Sequence, residues 1–198
     1  MFNVNKMFSR ALLAFALVTG AGAAVAVPVT YHVSLDTTSV SSDALLGLTF
    51  NGSPNSDAAM ATISNFTGAA GGVFETAGAV SGSLATILTM SNTSVDNYLA
   101  QFVTLGGMFG FDIMFDVVST TPGTLFSVAL YLPEYAGYAL GDGNLVTISL
   151  ADGTTQLSPA NAFASVTEVT AAVPEPGQWL LMLTGLLLLG AMARRRTL

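Results

Sequence analysis

Tyr31-His32-Val33-Ser34-Leu35-Asp36 puts apolar side chains at the odd positions and polar ones at the even positions. Successive side chains of an extended chain point to opposite faces, so this stretch reads as a strand with one buried face and one wet face. Phe109, Phe111, Ile113, Phe115 and Val117 repeat the pattern, leaving Asp112, Met114 and Asp116 on the other side. Shorter runs of the same kind predict strands at 46–50, 59–66, 72–76, 84–90, 98–104, 125–132, 145–150 and 163–169. Turn residues interrupt them about every 8 to 12 positions, the spacing of an all-β sandwich or barrel. The expectation is an antiparallel β-sandwich of jelly-roll-like kind. Asp142-Gly143 and Asp152-Gly153 suit tight turns because both residue types tolerate positive φ, whereas Asn51-Gly52, followed by Ser53-Pro54, suits a longer loop. The stretch from Ser158-Pro159 to Asn161 reads as a further loop.

Composition sets the limits around this fold. The chain has 198 residues, enough for about one domain, and its 52% hydrophobic content with only 9% charge supports a real core. There is no cysteine, which removes disulfides, thiolate metal sites and thiol chemistry. The five basic residues are Lys6, Arg10, Arg194, Arg195 and Arg196, while all twelve acids lie between Asp36 and Glu175. A middle with no Lys or Arg repels phosphate backbones, so nucleic acid is excluded as a partner.

The ends carry the cations and read as addresses. Lys6 and Arg10 precede an apolar stretch that turns rich in small residues, and Ala24 and Ala26 supply the A-x-A pattern a signal peptidase needs. Residues 1–26 therefore read as a signal peptide cut after Ala26, with Ala21 and Ala23 offering an alternative cut, and Pro28 stops any helix from continuing. At the other end, 179–193 is a continuous apolar run, WLLMLTGLLLLGAMA, followed by Arg194, Arg195 and Arg196 in a basic tail at 194–198. As a helix its 15 residues reach about 22 Å, short of the roughly 30 Å hydrocarbon core, so flanking side chains must complete the span. Arginines stay cytoplasmic, which places the acidic middle on the side to which the signal peptide sends it. Between domain and helix, residues 171–178 contain Val173-Pro174-Glu175-Pro176-Gly177, an extended linker in which two prolines forbid helix and central strand alike. The exported domain is then 27–170.

Taken in order, Pro174-Glu175-Pro176, an apolar helix containing Leu180, Leu181, Gly185 and Leu186, and the terminal arginine triplet resemble the PEP-CTERM sorting signal. The β pattern from Tyr31 to Asp36-Thr37, with 48–51 and 61–66 after it, also resembles the opening of a subgroup of PEP-CTERM proteins. The resemblance implies a substrate of exosortase, a membrane-embedded, transpeptidase-like enzyme of Gram-negative bacteria that make exopolysaccharide. It implies that Pro174, Glu175 and Pro176 are recognised, that Arg194 to Arg196 hold the tail until the helix is removed, and that the remainder reaches the cell surface or the extracellular matrix of a biofilm. The other expected partners are the export machinery and signal peptidase.

Candidate chemistry within the domain is sparse. His32 is the single histidine, so any Ser-His-Asp arrangement must use it, yet no nucleophile elbow accompanies it. Asp112 and Asp116, four strand steps apart, stand roughly 13 Å from one another, outside the span of about 5 to 9.5 Å that glycosidase carboxylates need. No cofactor is expected. Calcium is the one ion whose chemistry fits, with Asp142, Asn144 and Asp152 as candidate oxygen ligands, although Asp-Gly is equally a plain turn. The expected function is that of an exported, non-enzymatic surface or matrix protein. The alternative is a carbohydrate-binding module or glycan-active enzyme with the same address, in which Tyr131, Tyr135 and Tyr138 stack on sugar rings.

Overall fold

The computed structural model describes residues 28–117, 119–151, 154–159 and 162–169, together with Gly185. The described part of the domain belongs to one unit, Ala26–Ala171. Ala24 and Ala26 of the signal region, the Pro174-Glu175-Pro176 linker, the apolar run apart from Gly185, Arg194 to Arg196, and Asp152 lie outside the described residues.

Among the described residues, twelve strands follow one another: β1 (Val29–Asp36), β2 (Asp43–Gly52), β3 (Met60–Thr67), β4 (Ala69–Ala77), β5 (Val80–Ser81), β6 (Leu88–Ser91), β7 (Tyr98–Thr104), β8 (Met108–Phe115), β9 (Thr124–Tyr131), β10 (Val146–Ala151), β11 (Thr154–Pro159) and β12 (Ala164–Val169). They form two six-stranded sheets, β12-β1-β8-β3-β6-β5 and β11-β10-β9-β2-β7-β4. Every strand pairing within them is antiparallel. The described domain is a two-layer β-sandwich, as the alternation predicts.

Alternation decides what each sheet buries. Tyr31, Val33 and Leu35 of β1 join Phe109, Phe111, Ile113 and Phe115 of β8 in the core, with Ala61 and Ile63 of β3 beside them. The second sheet answers with Leu46, Leu48 and Phe50 of β2, Leu99 and Val103 of β7, and Phe126, Val128 and Leu130 of β9. Phe115 ties the layers, its ring centroid lying 5.7 Å from Phe50 and 6.2 Å from both Tyr31 and Phe126. Such tilted and offset pairs add about 0.5–1.5 kcal/mol beyond the area they bury.

Polar groups inside the sandwich are matched. Asn97 donates through Nδ2 to the Phe50 and Ser94 carbonyls and accepts from the Ala79 N–H, while Gln101 donates to the Gly71 carbonyl and accepts from the Leu84 N–H. No buried side-chain nitrogen or oxygen among the described residues lacks a partner, as a sandwich core requires.

Several boundaries differ from the sequence reading. The strand expected over 84–90 begins only at Leu88, because Ser83 to Thr86 form a turn closed by the Thr86 N–H on the Ser83 carbonyl. Leu84 is buried by packing rather than by strand pairing. Ser158-Pro159 ends β11 instead of opening a loop; Pro159 is the last residue of an edge strand, where a missing N–H costs little. Asn51-Gly52 closes β2, opposite Leu125 and Thr124, and the positive φ falls on Asn55 in the loop beyond.

Candidate functional site

The outward face of the second sheet carries an unusual row. Alternation turns Leu45, Gly47 and Thr49 of β2 away from the core, and pairing sets Gly47 between Ala129 of β9 and Ala100 of β7, with Glu75 of β4 next in line. Three residues with little or no side chain leave a trough in the sheet surface. The neighbouring rows are taller: Tyr98 stands beside Thr49 on one side, and Tyr131 and Phe102 flank Leu45 on the other. The result is a cleft of about 360 Å³ with Gly47 and Ala100 in its floor and Glu75, Tyr98, Tyr131 and Tyr135 in its walls.

Local features build the walls. Tyr131 ends β9 and leans over the trough, so that a Cβ placed on Gly47 would come within 2.7 Å of its Cε2. After it, Pro133–Tyr135 form a short 3₁₀ turn, and the chain returns to pair Tyr138 with Tyr131. Tyr138 stacks on Tyr131 at 5.2 Å, and Tyr135 meets Tyr131 edge-on at 5.4 Å. Glu134 and Tyr135 hold φ of 59° and 56°, a left-handed conformation costly for side chains of this size, which the ring contacts sustain. On the far side β4 is bulged between Val73 and Glu75. A bulge lets consecutive side chains share one face. Phe74 accordingly packs at 5.4 Å on Phe102 and 5.8 Å on Tyr135 while Glu75 faces the cleft.

Glu75 is the electrostatic centre. Its Oε2 accepts the Tyr135 hydroxyl at 3.3 Å. The Glu75 carboxylate, as a potential acceptor for the Tyr98 phenol and then, after burial, as a negative charge beside it, pushes that phenol up to about 12. Burial first, then the Glu75 carboxylate, raises Tyr135 as well. Asp96 adds a second carboxylate to the lining, and no Lys or Arg occurs anywhere in 27–193 to offset them.

The outward face of the first sheet holds the other cluster. Register places Asp112 of β8 between His32 of β1 and Ser64 of β3. His32 Nδ1 lies 2.7 Å from Asp112 Oδ1, and Asn65 Nδ2 donates to Asp112 Oδ2 at 2.7 Å. An ionised carboxylate only accepts, so Nδ1 carries the ring proton. The Asn65 bond first and the histidine second hold the Asp112 carboxyl below its ordinary value. The order across the sheet is serine, aspartate, histidine, whereas a catalytic triad needs the histidine in the middle. Asp116, the partner considered for Asp112, accepts the Met60 N–H at 2.7 Å instead.

Of the tyrosines singled out from the sequence, the structure brings Tyr131 and Tyr135 to the cleft and sets Tyr138 behind Tyr131 as its support. Sequence reasoning missed Glu75 and Tyr98, which reach the cleft through strand register. Asp142 and Asn144 are exposed, and among the described residues no three His, Asp or Glu side chains gather to hold a metal ion. No family model matches the chain, and neither the curated proteins nor the solved structures contain a match.

Proposed function

We propose that this chain is an exported, non-enzymatic protein of the cell surface or extracellular matrix, carried out by its signal peptide and detached from its C-terminal anchor by an exosortase. The observation that carries the reading is the ordered set Pro174-Glu175-Pro176, apolar run, and Arg194, Arg195 and Arg196, with a signal peptide at the far end and no Lys or Arg between. Its destination is the cell surface or an exopolysaccharide matrix.

Two further observations support the reading. Strand pairing follows the winding of a jelly roll, β1 with β8, β2 with β7 and β3 with β6, departing from it where β5 pairs with β6 rather than β4. Jelly rolls include viral capsid and lectin domains. The non-enzymatic reading rests on what the carboxylates already do: Asp36 accepts from Thr38, Asp43 from Thr104, Asp57 from the Thr121 N–H, Asp112 from His32 and Asn65, and Asp116 from the Met60 N–H.

The test is cell fractionation of the producing bacterium with and without its exosortase gene. The protein should move to the surface fraction in the first strain and remain with the inner membrane in the second. Equal arrival at the surface in both would refute processing by that enzyme.

A further inference from the structure

We infer that the cleft between Tyr98 and Tyr131 binds the uncharged sugar rings of a glycan. This goes beyond the sorting reading and does not depend on it.

A sugar ring presents an apolar face of C–H bonds and a rim of hydroxyls. Its recognition calls for flat aromatic walls and a few fixed hydrogen-bonding groups, and the cleft supplies both. The floor of Gly47 and Ala100 leaves room against the sheet, and about 360 Å³ falls within the usual range of roughly 300–1,000 Å³ for a small-molecule site. Tyr131 is fixed before any ligand arrives, supported by Tyr138 behind and Tyr135 at its edge. Binding therefore costs little in side-chain ordering.

The rim contacts follow from hydrogen-bonding capacity. An ionised carboxylate offers about four acceptor sites, and the Tyr135 hydroxyl occupies one of those on Glu75. The remaining sites can take sugar hydroxyls, with Thr49 adding a hydroxyl from the lining. Asn51 also lines the cleft; its Oδ1 accepts the Asn97 N–H at 2.8 Å, so its NH₂ is the group left to donate.

Charge then selects among glycans. A uronate, sulfate or phosphate would enter against Glu75 and Asp96 with no Lys or Arg in 27–193 to receive it. Juxtaposed like charges oppose binding. Neutral rings meet no such penalty. Two independent signs mark the place as built rather than incidental: the bulge in β4 that aims Glu75 inward, and the consecutive left-handed Glu134 and Tyr135 that hold the tyrosine wall. Bulges and sustained backbone strain both concentrate at functional sites.

The test is isothermal titration calorimetry on the full chain in a zwitterionic, sugar-free detergent. The probes are three neutral hexaoses (maltohexaose, cellohexaose and laminarihexaose) and hexagalacturonate as the acidic probe. At least one neutral hexaose should bind and hexagalacturonate should not. Tyr98→Ala and Glu75→Gln should each weaken binding tenfold or more, while His32→Ala on the opposite outer face leaves it unchanged. Glu75→Gln keeps the size of an exposed edge-strand side chain, so it reads the carboxylate even if Tyr98→Ala disturbs β7. Failure of all three neutral hexaoses to bind, wild-type affinity in Glu75→Gln, or equal binding of hexagalacturonate would each overturn the inference.

Discussion

The two ends of this chain hold every Lys and Arg, and the middle holds every Asp and Glu. The contrast shows how differently the regions use charge. At the ends, cations flank apolar runs, an arrangement that under our proposal directs membrane insertion and needs no folded surroundings. In the middle, carboxylates without a Lys or Arg partner find neutral donors instead. Asp36 takes the Thr38 hydroxyl and N–H, Asp57 the Thr121 N–H, Asp116 the Met60 N–H, and Glu75 the Tyr135 phenol. Each such bond fixes a turn, a strand end or a ring, so acids that cannot form Lys or Arg salt bridges still order the fold.

If neutral packing and neutral donors hold the middle together, the largest loss should come from the core. Phe115→Ala removes the ring shared by Tyr31, Phe50 and Phe126 and should cost about 3–5 kcal/mol, read as a lowered midpoint in urea unfolding of the full chain. A smaller loss follows from Asp112→Asn, which removes a charged acceptor from His32 and Asn65 on a partly exposed face; about 0.5–1 kcal/mol is expected. Because the Asp112 pKa is lowered on folding, its contribution is present above the unfolded carboxyl value of about 3.9 and is lost as pH falls through the lower folded value. The wild type and Asp112→Asn should therefore converge in stability toward strongly acid pH.

Screening gives a gentler effect. Between 10 mM and 150 mM sodium chloride the Debye length falls from about 30 Å to about 8 Å, which should relieve repulsion among the carboxylates and raise the melting temperature. A flat or falling melting temperature would mean that the acids are too dispersed to repel. The finest effect belongs to Tyr98 and leaves neutral pH untouched. Its raised pKa stabilises the fold fully below the ordinary phenol value of about 10, and that stabilisation is lost as pH rises through about 12. Absorbance at 295 nm should show late-titrating tyrosines, of which Tyr98 and Tyr135 return toward the ordinary value in Glu75→Gln.

Period-two alternation made most strands legible, since burial on one face forces the pattern into the residues of β1 and β8. It could not reveal β5, only two residues long, or β11, whose Thr154-Thr155-Gln156-Leu157-Ser158-Pro159 lies at a sheet edge and carries little apolar signal. The aromatic wall was half legible. Tyr131, Tyr135 and Tyr138 are close in sequence, whereas Tyr98 and Glu75 join them through the register of β7 and β4. The small residues Gly47, Ala100 and Ala129 carry the missing signal, but they align only once three strands are paired. The same holds for His32 and Asp112, each read as wet-face residues and joined by the pairing of β1 with β8.

Intact-mass spectrometry of the mature protein, isolated from the surface or matrix of the producing cell, tests the sorting claim most directly. The predicted mass begins at Val27 and ends at or near Pro174-Glu175-Pro176, without residues 179–198. A mature protein that still ends at Leu198 would contradict it.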